Sequence, residues 1–95
     1  MKKLLGLYYI RWTGTPKELK KYIEKIEEIA NSIEEANFKG AFTPTSEWNA
    51  VLLFEGTSFD NILNIYKQYM KKYGTNPKIP VAKFESLFSF DEIGY

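Results

Sequence analysis

The residues of this chain that could do chemistry are few, and two of the most useful types are missing. The sequence contains no histidine and no cysteine, so it lacks the usual general base at neutral pH and the usual ligands of zinc. The absence of cysteine also excludes a thiolate nucleophile and disulfide bonds. A metal ion would need oxygen ligands from carboxylates and carbonyls. We therefore predict no catalytic residue, no metal site and no cofactor.

Arg11, the single arginine of the chain, is the first candidate for a ligand contact. It lies two residues after Tyr9 in an apolar segment, so both are expected on the same face of a strand, and Glu85 is expected on that face of the neighbouring strand. A guanidinium group binds carboxylate or phosphate groups through paired hydrogen bonds, so Arg11 could hold an acidic ligand. The alternative, which we favour, is a structural ion pair between Arg11 and Glu85, since such networks are common.

Trp12 and Trp48 are the aromatic candidates. The end of the first strand should lie beside the start of the third, so the two indole rings are predicted to approach each other. With Tyr8 and the helix residues Tyr66 and Tyr69 they could line a pocket for a flat apolar ligand. Core packing at one end of the domain is the favoured alternative. The predicted cleft for a small apolar or acidic ligand comprises Tyr9, Arg11, Trp12, Trp48 and Glu85.

The elements that must position these residues follow from capping signals and hydrophobic periods. Thr15, Pro16 and Glu18 form a capping box with proline at the first helical position, and apolar residues then recur every three or four positions as far as Ile33. We predict that this helix ends near Asn37. A second amphipathic helix is predicted between residues 58 and 74, with a serine cap and a terminal glycine. Four strands are predicted at residues 3–12, 38–44, 48–56 and 81–90.

The resulting order, β-α-β-β-α-β, predicts an α+β fold of the ferredoxin-like type. The length of 95 residues indicates one domain, spanning residues 1–95. Right-handed crossovers should place the first and third strands in the middle of a four-stranded antiparallel sheet, with both helices on one face.

The third strand raises the question of what covers the second face of the sheet, because nearly every residue from Trp48 to Phe54 is apolar. A strand with one solvated face should alternate apolar and polar residues. Small residues such as Gly6 and Ala50 suit the helix side, and the alternation places Trp12 and Trp48 there too. The opposite face is predicted to be a homodimer interface. Its residues are Leu5, Leu7, Val51, Leu53, Val81 and Leu87.

The order of elements, together with the strands LLGLYYIRW, AVLLFEG and VAKFESLFSF, resembles the dimeric α+β barrel superfamily. That superfamily includes small monooxygenase-like and GYD-type domains, and the resemblance covers nearly the whole chain. It implies a ferredoxin-like fold and a homodimer that packs sheet on sheet. The catalytic histidines of many members have no counterpart in this chain, so the resemblance implies no particular reaction.

Charge and hydropathy narrow the range of functions. Thirteen basic and 12 acidic residues give a net charge of +1, which argues against a long contact with nucleic acid phosphates. No apolar run approaches the roughly 20 residues that span a bilayer, and the Lys/Glu-rich composition is typical of a thermophile's cytoplasmic protein. We expect a cytoplasmic homodimer with a ligand-binding, structural or regulatory role rather than a catalytic one. The alternatives are a cofactor-free isomerase or oxygenase and an RNA-binding protein that uses an open sheet.

Overall fold

The computed structural model describes residues 4–34 and 36–87. The strands are β1 (Leu4–Ile10), β2 (Ala36–Phe42), β3 (Ala50–Gly56) and β4 (Ala82–Leu87), and the helices are α1 (Pro16–Ala30) and α2 (Phe59–Tyr73). The strands form one antiparallel sheet in the order β2-β3-β1-β4. The predicted element order and the central position of β1 and β3 are confirmed. Position 3 of the predicted first strand and positions 88–90 of the predicted last strand lie outside the described residues.

Both helices begin at the predicted caps. The Thr15 side chain accepts a hydrogen bond from the Glu18 amide, and the Glu18 carboxylate accepts one from the Thr15 amide, which completes the capping box. The Ser58 hydroxyl caps α2 by accepting from the Asn61 amide, and Gly74 ends the helix with a positive φ of 79°. Among the described residues, neither helix is long and apolar enough to cross a membrane.

The predicted end of α1 near Asn37 is wrong, because the helix stops at Ala30. Ser32 closes a turn there, with its amide and its hydroxyl both donating to the Ile29 carbonyl. Ile33 continues the helical spacing of apolar residues and packs against the core from this turn. The hydrophobic period therefore extends beyond the hydrogen-bonded helix, and it misled the prediction.

The capping box makes a testable contribution to stability that depends on pH. Hydrogen bonding to Lys78, and then to the backbone and side chain of Thr15, lowers the pKa of the Glu18 carboxyl below its usual value of 4.5. A carboxyl whose pKa is lower in the folded state stabilises that state above its unfolded pKa and loses this contribution as pH falls through the folded pKa. We therefore expect Glu18→Gln to lower the melting temperature at pH 7, by an amount that shrinks as pH falls below 4.5.

Thermal unfolding followed by circular dichroism between pH 3 and pH 7 measures this dependence. Glu24→Gln, at an exposed position of the same helix, is the matched control and should show no comparable convergence with the parent protein. An unchanged difference in melting temperature at pH 3 for Glu18→Gln would contradict the assignment.

The core lies between the helices and one face of the sheet. Its largest fully buried side chains are Tyr8, Ile10, Ile26, Leu52 and Ile65. The buried positions of Tyr8, Ile10 and Leu52 agree with the predicted helix-facing side of β1 and β3. Ile65 of α2 is buried, whereas Tyr73 at the end of the same helix is 40% exposed.

Gly6 is the position where α2 comes closest to the sheet. A Cβ atom built on Gly6 would lie 2.8 Å from Ile62 Cδ1 and 2.9 Å from Ile62 Cγ2. Carbon atoms in van der Waals contact are about 3.5–4.0 Å apart, so no side chain fits without movement. The glycine in the central strand thus permits the close packing of α2.

An irregularity in β2 changes which side chains reach the second face of the sheet. The register with β3 shifts between Phe38 and Gly40, and Gly40 has a φ of 153° that favours glycine. Phe38 packs on Phe54 on the helix side, with ring centroids 5.6 Å apart. Beyond the shift, Phe42 pairs with Val51 and so projects to the opposite side of the sheet.

Candidate functional site

The face of the sheet turned away from the helices, which we call the open face, carries three rows of side chains that run across the strands. Paired residues of antiparallel strands project to the same side, so the register defines each row. The first row is Phe42, Val51, Tyr9 and Lys83; the second is Gly40, Leu53, Leu7 and Glu85; the third is Asn37, Glu55, Leu5 and Leu87. The middle of the face is apolar, and its charged side chains lie mainly on β4.

Exposed apolar side chains are concentrated on this face. Five large hydrophobic side chains are exposed within residues 4–34 and 36–87, and Tyr73 on α2 is the exception among them. Three of the others lie in the rows: Phe42 is 56% exposed, Leu87 is 42% exposed and Leu5 is 37% exposed. The fourth, Val81, is 52% exposed and lies at the border of the face, where its carbonyl accepts a hydrogen bond from the Arg11 amide. Five of the six residues predicted from sequence for this face lie in the rows, and the sixth, Val81, lies at this border.

Tyr9 is at the centre of a polar and aromatic group on the open face. Its ring centroid lies 5.6 Å from that of Trp48, and its hydroxyl donates to Glu85 Oε1 at 3.1 Å. Lys83 Nζ lies 3.5 Å from Glu85 Oε2 and 5.1 Å from the centroid of the Tyr9 ring. Burial, and then the hydrogen bond and charge of Glu85, raise the pKa of Tyr9.

The predicted contact between the two tryptophans is wrong. Trp48 packs on Tyr9 on the open face, whereas Trp12 packs on Tyr22 of α1, with ring centroids 5.7 Å apart. Trp48 precedes β3, so strand alternation counted back from Ala50 does not apply to it. Asn49, between Trp48 and Ala50, pairs with the end of β1: its amide donates to the Ile10 carbonyl, and its Oδ1 accepts a hydrogen bond from the Trp12 amide at 2.7 Å.

The predicted ion pair between Arg11 and Glu85 is also wrong. Arg11 Nη1 lies 3.6 Å from Oε2 of Glu47, an exposed residue in the segment that precedes β3 in the chain. The register pairs Glu85 with Leu7, four residues from Arg11 along β1, which is about 13 Å at the rise of a strand. The structure therefore divides the predicted cleft: Tyr9, Trp48 and Glu85 share the open face, Arg11 lies at its border and Trp12 lies on the helix side.

A cluster of tyrosines fills one end of the helix side. The hydroxyls of Tyr8 and Tyr22 are 2.8 Å apart and buried. Phe84 stacks on Tyr8 with centroids 4.4 Å apart, and the rings of Tyr66 and Tyr69 meet Tyr8 and Tyr22 edge to face. Burial is the main cause that raises the pKa of both Tyr8 and Tyr22, so both remain neutral phenols that can donate a hydrogen bond.

Next to this cluster is an open groove of ≈ 230 Å³, which we call the tyrosine pocket. Trp12, Tyr22, Tyr69 and Asn76 are among the residues that line it, and Tyr22 and Tyr69 are themselves almost fully buried. A second cavity of ≈ 220 Å³ shares Tyr22, Tyr69 and Asn76 and continues towards β4. The sequence gave Trp12, Trp48, Tyr8, Tyr66 and Tyr69 as pocket residues only as the alternative to core packing, and it did not single out Tyr22, whose hydroxyl partner lies on β1.

The paired hydroxyls of Tyr8 and Tyr22 predict a non-additive pair of substitutions. Tyr8→Phe leaves the buried Tyr22 hydroxyl without this partner, and an unsatisfied buried polar group costs about 1–3 kcal/mol of unfolding free energy. Tyr22→Phe leaves Tyr8 in the same condition. We expect the double variant to be no less stable than either single variant, because removing both partners is nearly neutral. Urea unfolding of the four proteins measures this coupling, and strictly additive losses would contradict it.

No group of three or more acidic side chains that could hold a metal ion is found in the described part of the chain. On the open face the side chains offer apolar contact, phenolic hydrogen bonding and the paired charges of Lys83 and Glu85.

Solved structures with the same arrangement identify the fold. A DABB-family protein with a ferredoxin-like fold from Mesorhizobium loti superposes with a TM-score of 0.70 at 8% identity, covering 90% of this chain and 95% of that one. The fold is ferredoxin-like. Hydroxynitrile lyase from Passiflora edulis shares it, with a TM-score of 0.67, 13% identity and coverage of 90% and 92% of the two chains.

A dimeric ferredoxin-like protein of unknown function from Thermobifida fusca has a TM-score of 0.61 at 13% identity, covering 90% of this chain and 89% of that one. No family model matches the chain, and no curated protein matches it. The ferredoxin-like neighbours agree with the resemblance to α+β barrel proteins drawn from the sequence. At these identities the likeness establishes the fold and leaves the activity to be argued from the site.

Proposed function

We propose that the protein works as a homodimer joined through the open face, in a ligand-binding, structural or regulatory role rather than a catalytic one. The observation that carries this proposal is the concentration of exposed apolar side chains on the open face, while the helices cover the other face. Contiguous apolar patches of this kind mark interaction sites in soluble proteins.

A second copy of the chain suits the open face physically. Burying a large apolar side chain contributes about 1.5–3 kcal/mol, and Phe42, Leu5 and Leu87 each retain exposure that a partner sheet would remove. A two-fold axis brings the same face of both copies together, at the spacing of about 10 Å usual for packed sheets. Lys83 and Glu85 carry opposite charges at adjacent positions of this face, so a rotated copy can present complementary charge.

The test is the absolute mass of the protein in solution, measured by light scattering on a sizing column over a range of concentrations. We expect twice the chain mass of 11.1 kDa. A monomer at the highest concentration would overturn the proposal. In that case Phe42, Tyr9 and Trp48 would be free to stack with bases, and salt-sensitive retention on RNA would support the RNA-binding alternative.

A cofactor-free enzyme is the second candidate, and the tyrosine pocket favours it. Tyr22, whose hydroxyl is hydrogen-bonded to that of Tyr8, is among the residues that line this groove. One protein with this fold is a hydroxynitrile lyase. If the pocket is catalytic, Tyr22→Phe should abolish turnover of a small substrate; binding without turnover would support the non-catalytic proposal.

A further inference from the structure

One edge of the sheet has no partner strand in the described part of the chain. There β4 pairs with β1 alone, and the helices pack mainly over β1, β2 and β3. The Arg11 amide donates to the Val81 carbonyl, and hydrogen bonding to β1 alternates along β4 from that pair. The amide and carbonyl groups of Ala82, Phe84 and Ser86 therefore point away from β1. We call these outward groups the β4 edge.

The β4 edge lacks the features that usually prevent an edge strand from pairing with another chain. Such features include bulges, prolines and charges of one sign. The other edge strand, β2, has a register shift next to Gly40. By contrast, β4 keeps a regular register with β1 and contains no proline. Its charged side chains, Lys83 and Glu85, are of opposite sign and lie two positions apart. The β4 edge is therefore able to accept a further strand.

The sequence of β4 is complementary to itself in one antiparallel register, which is centred on Phe84. In that register Lys83 lies opposite the partner's Glu85, and opposite charges across strands stabilise a sheet. Val81 and Leu87, which are 52% and 42% exposed, also lie opposite each other. Moving the centre by one residue places either Lys83 or Glu85 opposite its own copy, and like charges destabilise that pairing. The charge pattern therefore selects both the occupant and the register.

We propose that the β4 edge joins this chain to a second copy, with the two β4 strands antiparallel and centred on Phe84. The outward groups of each copy bond to those of the other across a two-fold axis, so the sheet continues through both copies. The open face is not used, so this contact goes beyond the proposed homodimer and links one homodimer to another. A single strand edge is smaller than the roughly 1,000 Å² of stable interfaces, so we expect a dissociation constant of about 0.1–1 mM.

The Leu53→Glu variant separates this contact from the open face, because it is designed to prevent pairing of the open faces. In ¹⁵N-labelled Leu53→Glu protein, raising the concentration from about 0.05 mM to about 1 mM should shift the amide signals of Ala82, Phe84 and Ser86 along a saturating curve. The mass measured by sedimentation should rise with them. If the parent protein is itself monomeric at low concentration, the open-face homodimer fails, and the same series on the parent tests the β4 edge.

Charge reversal tests the register. Lys83→Glu or Glu85→Lys, each added to Leu53→Glu, places like charges opposite each other and should weaken the association by at least about tenfold. An equimolar mixture of the two variants should restore it, because the new carboxylate at position 83 of one chain then faces the new ammonium group at position 85 of the other. Recovery on mixing also shows that both variants are folded.

The matched control reverses the same charges away from β4. Lys67→Glu and Glu27→Lys, at exposed positions of α2 and α1, should associate no more strongly when mixed than when separate. An equal gain in this control mixture would indicate a general charge effect and overturn the proposal. Amide signals that do not change with concentration would also overturn it. So would slow hydrogen exchange at the β4 edge in dilute protein, because the edge would then already be occupied.

Discussion

Leu53→Glu is expected to turn the proposed homodimer into a monomer. Leu53 is half-buried at the centre of the open face, in the row that also contains Leu7 and Glu85. Pairing two open faces would enclose the new carboxylate without a cationic neighbour in its row, and an uncompensated buried charge costs about 3–5 kcal/mol. The dissociation constant of the dimer should therefore rise by at least about a hundredfold. Light scattering at matched concentrations measures the change.

The monomeric variant should retain its fold, because Leu53 points away from the core between sheet and helices. Circular dichroism should show unchanged secondary structure. Gln68→Glu makes the same change of charge at an exposed position of α2 and should leave the dimer intact. Dissociation by both variants would indicate a general charge effect, and a dimer that survives Leu53→Glu would place the interface elsewhere.

Gly6→Ala and Ile62→Ala are expected to be individually destabilising and mutually compensating. The new Cβ of Gly6→Ala would lie under 3 Å from two carbon atoms of Ile62, a residue that is 2% exposed, so the Ile62 side chain or α2 must move. Overpacking of this kind costs about 1–3 kcal/mol of unfolding free energy. Ile62→Ala alone leaves a cavity between α2 and β1 and should cost about 2–5 kcal/mol.

In the double variant the methyl group at position 6 occupies part of the space that Ile62 vacates. We expect the double variant to be at least as stable as Ile62→Ala alone, with a coupling free energy of about 1–3 kcal/mol measured by urea unfolding. Gly6→Ala combined with Ile65→Ala, another buried α2 residue, is the matched control and should show smaller coupling. Additive losses in both pairs would show that the close approach of α2 to Gly6 does not limit the packing.

Short-range signals in the sequence were sufficient to predict which segments form helices and strands, and in which order. The capping box of Thr15 and Glu18, the serine cap and terminal glycine of α2 and the alternation along β1 each depend on residues within about one turn or a few strand positions. Because β1 and β3 are central and regular, their alternation also predicted which side chains face the helices. The apolar open face followed directly from that alternation.

The parts of the site that the sequence left open depend on residues distant along the chain. Phe42 reaches the open face because β2 shifts register near Gly40, and strand pairing decides where such a shift falls. Trp48 joins Tyr9 because the segment before β3 does not follow strand geometry. The β1–β4 register pairs Glu85 with Leu7, about 13 Å along the strand from Arg11, so Glu85 is out of reach of Arg11. Arg11 pairs instead with Glu47.

The tyrosine pocket is the clearest case of a feature that only the tertiary structure decided. Its walls come from the end of β1, from α1 and from the end of α2, and its hydroxyl pair joins Tyr8 and Tyr22 across the layer between sheet and helix. In the sequence each of these residues falls at a repeating apolar position of its strand or helix, which predicts only that it is buried in the core. By itself the sequence determined the caps, the strand alternation and the apolar open face, because short-range geometry sets them. The packing of α1 and α2 on the sheet decided that Trp12, Tyr22 and Tyr69 meet at one groove, because that depends on distances between elements.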